Sequence, residues 1–572
     1  MYGFCVVRGE DESIKKNYKQ MKWGESSLYY NPMPRFEKDK LFYQDEKKVI
    51  LLDGVVFNIH ELSAVSGEGE WKKVFDVLYD ANYVKCIDKL RGSFAGVIID
   101  KLTGTLYAFS NHTGERPNYY HIDENGRCDI IASHINFIEE VLMKKNKRLI
   151  PDKETAYQLL STGTCLGHKT PFKNVRRITA GRYITANTTD VKEEFYHIFK
   201  NVPEWEMSLD ECMEKGNELF RQAIKRIYDK NREYGYESEC DLSGGLDSRM
   251  STYVAHDMGY NNILNMCYCV KGNLDNVVSQ KIAADLGNRY SFLEMNGNIF
   301  MDVDENIDRN GGQVFYGVGT GSVRSLKQIN TDNLGMCCTG LLGELQNAYW
   351  INGTKHTPPE FIIPDERYSN YIPLSVSEEY SSPYENYEQM NIYEHSFNLF
   401  ISSAIVRQQV AEVTAPFLDV DYIDFVFRVP LKYRMNYKYT TSWMIKYYPG
   451  AADYVWQSKG MPVKAWVNGE VYSPKKRSDI IDYQKRKINA LLRLVKIPFQ
   501  FYRIADMNPV YTFYYRNKKF RTFVNEYYIS NIGKVSDEIL RNDISQMFKK
   551  GNPIDKLMVL NYLGICKRYF NS

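Results

Sequence analysis

The first part of the chain alternates short apolar runs with turn residues. Apolar positions recur with a period of two in residues 49–57, 94–100 and 106–109, and turn pairs such as Asp53-Gly54 interrupt or separate these runs. This alternation is typical of strands that bury one face. Residues 1 to about 125 are therefore predicted to form stacked antiparallel sheets.

A helix and a short hairpin are predicted over residues 151–184, with the turn of the hairpin at Ala180-Gly181. The later segment 201–206 contains Pro203 and is interpreted as a linker. We place a domain boundary there, so that residues 1–202 form the first domain.

Strands alternate with helices beyond this linker. Apolar residues at helical spacing precede a strand that ends before Ser243, a helix begins near Arg249, and residues 263–270 form the next strand. This order predicts a parallel α/β sheet. Residues 237–242 are unusually polar for a buried parallel strand, which argues against their burial.

Helical periodicity dominates from about residue 390, and the segment 466–572 is rich in Lys, Arg and Tyr. We interpret this segment as helices with a solvated basic face and an aromatic face toward the core. The alternative is a docking surface for a polyanion or an acidic peptide.

Composition and charge narrow the class of protein. With 572 residues, 44% of them hydrophobic, the chain is long enough for two or three folded domains. Its 73 basic and 71 acidic residues leave a net charge of +2, which gives no general attraction to nucleic acid. We recognise no signal peptide and no run of 18 apolar residues, so no membrane partner is expected.

The eleven cysteines include no Cys-x-x-Cys pair and no Cys/His cluster at zinc spacing. Reduced, mostly buried thiols fit this pattern best. We therefore expect a cytoplasmic protein.

The strongest chemical signal is the run from Ser243 to Arg249, Ser-Gly-Gly-Leu-Asp-Ser-Arg. Small residues let a backbone pass close to an anion, consecutive N–H groups form a nest for phosphate oxygens, and a carboxylate can hold Mg²⁺. A Walker loop, Gly-x-x-x-x-Gly-Lys-Ser/Thr, occurs nowhere in the sequence. The run predicts a pyrophosphate cradle, and the alternative is a plain Gly-Gly turn between strand and helix.

In these residues the chain resembles the asparagine synthetases and their relatives, which form amides through an acyl-adenylate. Residues 243–248 match the pyrophosphate loop of that family residue for residue. Further similar segments follow in the family's order through residue 465: Lys271-Gly272 with Asp275, Ile282 to Gly287, Ala415 to Asp419, Val429-Pro430, Tyr448-Pro449 and Ser458 to Pro462.

The resemblance implies roles for individual residues, with ATP and Mg²⁺ as cofactors. Lys459 becomes the cation near the developing charge, and Glu344 stands where a second metal-binding acid is expected beside Asp247. Nucleotide binding is carried over to Ser243, Gly244, Gly245, Asp247, Ser248 and Gly272.

One departure from the family lies in the loop Thr339–Glu344. Asparagine-forming members carry a Glu directly after the first Gly of this loop, and Leu341 stands there instead. This puts ordinary asparagine formation in doubt. Tyr349 is a candidate proton-handling group in place of the missing acid, as tyrosine is in β-lactam-forming relatives, and its alternative role is a plain core or surface tyrosine.

The N-terminal half resembles the glutaminase domain of the same family. Residues 52–58 look like its glutamine-binding segment, but Val55 replaces the acidic residue there. Glutaminase chemistry needs a cysteine made N-terminal by removal of Met, so that its own amino group acts as base. Here Tyr2 occupies that place and Cys5 lies further along. We expect a glutaminase fold without glutaminase activity.

The fold class implied is α/β, with an N-terminal Ntn-hydrolase-type αββα sandwich over residues 1–202. A PP-loop ATP-pyrophosphatase-type parallel α/β domain is expected over residues 203–465, followed by a basic, aromatic helical region over residues 466–572.

The activity implied is ATP-dependent, AMP-forming amide ligation, in which a carboxylate is adenylated and captured by an amine that does not come from glutamine. The products left open are an amide on a glycan sugar, a lactam as made by β-lactam synthetases, and a macrolactam as made by lasso peptide cyclases. The partners expected are a small-molecule or peptide substrate and a peptide or biosynthetic enzyme. The alternative from another class is a degenerate scaffold; Asp247 and Lys459 argue against it and Leu341 for it.

Overall fold

The structure is a computed structural model. It describes residues 1–9, 14, 17–67, 69–78, 83–187, 190–202, 206–348, 368–372, 383–470, 477–494, 497, 499–504 and 506–570.

Two six-stranded antiparallel sheets form the N-terminal part, as the period-two pattern predicts. The first sheet has the strand order β10-β8-β9-β1-β3-β2 and the second the order β12-β11-β7-β6-β5-β4. The strands are β1 (Gly3–Arg8), β2 (Lys19–Trp23), β3 (Ser26–Asn31), β4 (Leu41–Gln44), β5 (Lys48–Val56), β6 (Gly92–Asp100), β7 (Leu106–Ser110), β8 (Asn118–Ile122), β9 (Cys128–Ala132), β10 (Val175–Ile178), β11 (Arg182–Ala186) and β12 (Val191–Phe195).

Helices cover both outer faces of this pair of sheets. In β1, Phe4 and Val6 point into the apolar layer between the sheets, whereas Cys5 and Val7 point toward helices α4 and α5. The result is the expected αββα sandwich. Its helices are α1 (Ile59–Ser66), α2 (Trp71–Leu78) and α3 (Tyr83–Lys89) on the second sheet, and α4 (Ile135–Lys144) and α5 (Lys153–Thr162) on the first.

The hairpin predicted around Ala180-Gly181 is wrong. Strand β10 pairs with β8 in the first sheet, and β11 pairs with β7 and β12 in the second. The turn therefore carries the chain from one sheet to the other. The N–H of Gly181 donates to the carbonyl of Asn111 at 3.1 Å, which ties the turn to a neighbouring loop and not to a hairpin partner.

A five-stranded parallel sheet forms the next part, in the order β15-β14-β13-β16-β17. The chain runs from β13 outward to β15 and then crosses to β16 on the other side. The direction of winding reverses between β13 and β16, and open α/β sheets bind ligands in the crevice at such a point. The elements are α6 (Leu209–Tyr234), β13 (Glu237–Asp241), α7 (Asp247–Asp257), β14 (Leu264–Cys269), α8 (Leu274–Asp285), β15 (Arg289–Glu294), α9 (Val303–Asn310), α10 (Thr320–Leu326), β16 (Leu334–Cys338) and β17 (Val413–Thr414).

Helices dominate the rest of the described chain. The last helix packs against α5 and α9, so the C-terminal region closes onto the N-terminal sandwich. The described residues contain no helix long and apolar enough to cross a membrane. The elements are α11 (Tyr387–Asn391), α12 (Ala404–Gln408), α13 (Val420–Arg428), α14 (Leu431–Arg434), α15 (Lys438–Tyr447), β18 (Val455–Trp456), β19 (Met461–Pro462), α16 (Val463–Val467), α17 (Arg477–Leu494), α18 (Val510–Arg516), α19 (Lys518–Asn531), α20 (Glu538–Lys550) and α21 (Pro553–Ile565).

The polar strand β13 is buried at its carboxyl end, against the sequence-based expectation. Arg407 from α12 donates to Glu239 and to Asp241, each at 2.7 Å, and Tyr268 donates to Asp241 at 3.1 Å. All four side chains are mostly or wholly enclosed. A single guanidinium thus compensates two buried carboxylates, which lets a polar sequence occupy a central strand.

We predict that Arg407→Met lowers the free energy of unfolding by about 3–5 kcal/mol, because it leaves two buried carboxylates without their cation. Urea unfolding followed by circular dichroism measures the loss. The matched control is Arg289→Met, which breaks the exposed pair between Arg289 and Glu237 on the same strand β13 and should cost less than about 1 kcal/mol. Equal losses in the two variants would contradict the prediction.

Candidate functional site

A cavity of about 550 Å³ opens at the carboxyl ends of the parallel strands. The loops after β13 and β16, the strand β14, residues 317–322 and α12 form much of its wall. Its lining includes five residues singled out in the sequence: Ser243, Gly245, Asp247, Ser248 and Glu344.

The loop after β13 is a compact turn that its own neighbours hold in shape. The N–H of Ser243 donates to Ser248 Oγ at 3.0 Å, that of Gly244 to Asp275 Oδ1 at 2.9 Å, and that of Gly245 to Ser243 Oγ at 3.2 Å. In a complex with a nucleotide, these N–H groups would donate to phosphate oxygens instead of to the side-chain acceptors. Gly272 lies in the loop after β14 but outside the cavity lining, whereas Asp275 in the first turn of α8 belongs to the lining.

The loop after β16 packs directly on the start of α7. A Cβ atom at Gly343 would lie 2.2 Å from Asp247 Cγ, and one at Gly340 would lie 2.4 Å from the Ser248 nitrogen. Only glycine allows this approach at both positions. The two loops that flank the crevice between β13 and β16 therefore touch. Their contact brings Glu344 close enough to change the pKa of Asp247.

Two acidic groups share one enclosed place at this contact. Burial, followed by the negative charge of Glu344, raises the pKa of Asp247 from 3.8 to about 8. Paired carboxylates that are kept from water are costly unless a cation neutralises them. Carboxylate oxygens are the ligands that Mg²⁺ prefers, so Asp247 and Glu344 fit the expected divalent cation.

Lys459 lies beside the cavity and is not part of its lining. It stands in the turn of the β18–β19 hairpin, and its Nζ lies 5.2 Å from the ring centroids of Trp456 and Trp466 and 5.7 Å from that of Tyr437. Burial and then the charges of Asp247 and Glu344 raise the pKa of Tyr437. The aromatic box around the ammonium group therefore borders the acidic pair.

Arg249 joins this hairpin to the loop after β13. Its guanidinium is fully buried and donates to the carbonyls of Gly244 at 2.9 Å and Val455 at 2.6 Å, and also to those of Ala451 and Tyr454. The N–H of Gln457 donates to the same Gly244 carbonyl at 3.1 Å. Arg249 thus fixes where the lysine loop stands relative to the cradle.

The structure describes the position where the family carries an acidic residue, but not the tyrosine considered as its substitute. Leu341 lines the cavity and its N–H donates to Thr339 Oγ1 at 3.3 Å, so the position faces the site without an acidic group. Tyr349 lies outside the described residues.

The region expected to bind glutamine is filled by charged side chains. A cavity of only about 20 Å³ remains beside Asp53 and Arg116. Arg116 pairs with Asp53 at 3.4 Å and with Glu412, which directly precedes β17 of the parallel sheet. Cys5 is fully buried in the middle of β1, between Tyr29 and Ala132 of the adjacent strands.

Sequence reasoning missed the residues that position the site. Arg249 is the last residue of the motif. Its charged side chain at the start of a helix that must pack on the sheet could have indicated a buried structural role. Asp275 was noticed only as part of a family segment. Tyr437 carried no sequence signal, because its role depends on the distant residues Trp456 and Trp466.

Comparisons with known proteins agree with this architecture. Residues 8–197 match the glutamine amidotransferase domain. Over 236 residues the chain is 24% identical to the "Putative asparagine synthetase [glutamine-hydrolyzing] 2" of Methanocaldococcus jannaschii. The matched segment covers 39% of this chain and 44% of that protein. The chain thus matches less than half the length of this curated relative.

Two solved structures were also found, each with 10% identity over 51% of this chain. One is described as the allosteric regulatory enzyme of purine biosynthesis, with 74% of its chain covered and a TM-score of 0.24. The other is the glutamine phosphoribosylpyrophosphate amidotransferase from B. subtilis complexed with ADP and GMP, with 85% covered and a TM-score of 0.23.

The protein therefore combines an amidotransferase-type αββα sandwich with a parallel α/β domain. Its similarity to the putative asparagine synthetase supports an amidotransferase or amide-ligase family.

We predict that Asp247→Asn stabilises the magnesium-free protein at alkaline pH. The folded-state pKa of Asp247, about 8, lies above its ordinary value of 3.8, so the stability that its proton provides is lost as the pH rises from about 4 to about 8. The variant avoids this loss and should unfold at a higher temperature, by about 1–2 °C for each kcal/mol relieved in a chain of this length.

Thermal unfolding in EDTA from pH 5 to pH 9 measures this effect. The variant and the wild type should be closest at pH 5 and should diverge toward pH 9. Asp332→Asn, at an exposed loop position, is the control and should follow the wild type. A constant difference between Asp247→Asn and the wild type across this pH range would disprove the assignment.

Proposed function

We propose that the protein is an ATP-dependent, AMP-forming amide ligase that joins a carboxylate to an amine without hydrolysing glutamine. The observation that carries the proposal is the packing of Gly343 on Asp247, which brings the charge of Glu344 near Asp247 beside the glycine-rich loop at the crevice between β13 and β16. Two acidic groups in the cavity lining, next to an anion cradle, suit a nucleotide whose phosphates arrive with a cation.

Each group has a task in this proposal. The loop N–H groups of Ser243 to Gly245 bind the pyrophosphate part of ATP, and Asp247 and Glu344 hold Mg²⁺. When bound, that ion neutralises charge on the departing pyrophosphate. Lys459 leaves its aromatic box to meet negative charge that develops as the substrate carboxylate attacks the α-phosphate. The amine then displaces AMP from the acyl group.

The absence of glutamine hydrolysis rests on the N-terminal domain. Cys5 is buried within strand β1 and faces the helix layer, so it is not an N-terminal residue whose own amino group could act as base. Val55 is buried and provides no acidic group at the position where the family's glutamine-binding segment carries one. The ion pairs of Arg116 occupy the cleft. We infer that an amine substrate enters the synthetase cavity directly.

The cavity does not discriminate among the substrates considered above. A small-molecule or peptide carboxylate is the proposed acyl donor, and lactam formation as in β-lactam synthetases or lasso peptide cyclases is the more specific form of the proposal. Asp241 in the lining is already paired with Arg407, which also lines the cavity, so Asp275 is the acidic group that adds to Asp247 and Glu344 and favours a cationic amine as acceptor.

Lys459→Ala should lower the rate of ATP–pyrophosphate exchange by about 10² or more while nucleotide binding persists, because one preorganised donor is lost from the charge-stabilising site. The ATP–pyrophosphate exchange assay is run with a panel of carboxylates as candidate substrates, and calorimetry measures nucleotide binding. Lys459→Arg should restore little, since a planar guanidinium does not replace a compact ammonium.

The matched control is Lys464→Ala, on the neighbouring helix α16, where the lysine pairs with Asp453 at 2.7 Å. This variant should exchange at the wild-type rate. No exchange with any carboxylate, together with no nucleotide binding by the wild type, would favour the degenerate scaffold instead of the ligase.

The wild-type protein should release no glutamate from glutamine, with or without ATP. An enzyme-coupled glutamate assay tests this, and Cys5→Ser serves as the background. Glutamate release by the wild type that disappears in Cys5→Ser would show a working glutaminase and refute this part of the proposal.

A further inference from the structure

A second cluster of polar side chains lies far from the nucleotide cavity, where the N-terminal sandwich meets the synthetase domain. It consists of Asp88 at the end of α3, His112 after β7 and His197 after β12. One potential ligand atom from each of the three lies within 4.8 Å of the others. It is the one such group of His, Cys, Asp or Glu among the residues that the structure describes.

The distances within the cluster are close to those in a tetrahedral metal site. Asp88 Oδ1 lies 2.9 Å from His197 Nδ1 and 3.4 Å from His112 Nε2. Metal–ligand bonds of about 2.0–2.2 Å in a tetrahedron place neighbouring ligand atoms about 3.3–3.6 Å apart. An ion could enter between the three atoms with small side-chain movements.

A fourth group stands behind one of the histidines. Asp424 on α13 of the synthetase domain places its Oδ1 3.6 Å from His197 Nε2, the ring nitrogen that faces away from Asp88. A carboxylate on the far nitrogen of a metal-binding imidazole fixes the ring and raises its basicity. The aromatic rings of Tyr196 and Phe199 pack against His112 and His197, respectively, and limit the access of water.

The histidine nitrogens of the cluster already face oxygen atoms of Asp88. His112 Nε2 lies 3.2 Å from the backbone carbonyl oxygen of Asp88 and 3.4 Å from its Oδ1, and His197 Nδ1 lies 2.9 Å from the same Oδ1. An ion bound at the cluster would replace the protons of these contacts, so its affinity should fall as the pH falls.

We propose that Asp88, His112 and His197 bind a divalent transition-metal ion of the zinc type, with Asp424 orienting His197 from the synthetase domain. Two imidazoles and one carboxylate suit zinc better than magnesium, which prefers oxygen ligands only. The site is distinct from the Asp247 and Glu344 pair. It would tie the sandwich to α13 and so act on the orientation of the two domains.

The test uses the full-length protein, stripped with EDTA and dialysed into metal-free buffer. Zn²⁺ titrated by calorimetry should bind at one ion per chain. Co²⁺ should give the visible absorption bands of a tetrahedral complex without thiolate-to-cobalt charge transfer, because imidazole and carboxylate ligands are proposed and all eleven cysteines lie elsewhere.

Variants locate the ion. His112→Gln and His197→Gln should abolish tight Zn²⁺ binding, and Asp424→Asn, which keeps all three ligands, should weaken it about 10–100-fold. The matched control is His121→Gln, which removes an imidazole paired with Asp129 at 2.6 Å in the same domain but with no second histidine. This control should bind Zn²⁺ like the wild type.

Three results would overturn the proposal: no stoichiometric Zn²⁺ binding by the wild type, an octahedral or thiolate-type Co²⁺ spectrum, or equal weakening in His121→Gln and His197→Gln. The cobalt spectrum of the wild type needs no variant, so the proposal stays testable even if a ligand variant fails to fold.

Discussion

The site depends on one buried guanidinium. Arg249 donates to four carbonyl oxygens, of Gly244 in the loop after β13 and of three residues leading into the β18–β19 hairpin. These segments lie about two hundred residues apart in sequence, and neither has strong secondary structure to hold it. A planar donor with five N–H groups can satisfy several carbonyls at fixed angles, which an ammonium cannot. The distance between cradle and lysine is therefore set by Arg249 and not by either loop alone.

The acidic pair Asp247 and Glu344 introduces electrostatic repulsion into the site that Arg249 holds in place. Asp247 and Glu344 are forced together because Gly340 and Gly343 let the loop after β16 sit directly on α7. Burial and the charge of Glu344 raise the pKa of Asp247, and a divalent cation would relieve the repulsion between the two ionised groups. The ammonium group of Lys459 lies among three aromatic rings beside the pair.

Local patterns in the sequence predicted the layers of the fold but not the contacts between distant segments. Period-two alternation gave the antiparallel sheets, and the order of strands and helices gave the parallel sheet. The burial of β13 was not predictable, because its counter-ion Arg407 stands 166 residues away from Asp241. The glycine-rich motif located Asp247, since its chemistry is contained in six consecutive residues. The aromatic box was not foreseen, because Tyr437, Trp456 and Trp466 meet only through the hairpin.

The N-terminal domain has a structural reason to persist under the proposed loss of glutaminase chemistry. Its former cleft now holds Arg116, which pairs with Glu412 immediately before the edge strand β17. Arg91 and Glu61 of the same domain bind Asp421 and Arg226 around the start of α13. Removing the sandwich would leave Glu412 without Arg116 and Lys40 and would expose the apolar face of α21, whereas Asp421 and Arg226 would still pair with each other at 2.7 Å. The sandwich therefore contributes to the stability of the parallel α/β domain through Arg116 and its contact with α21.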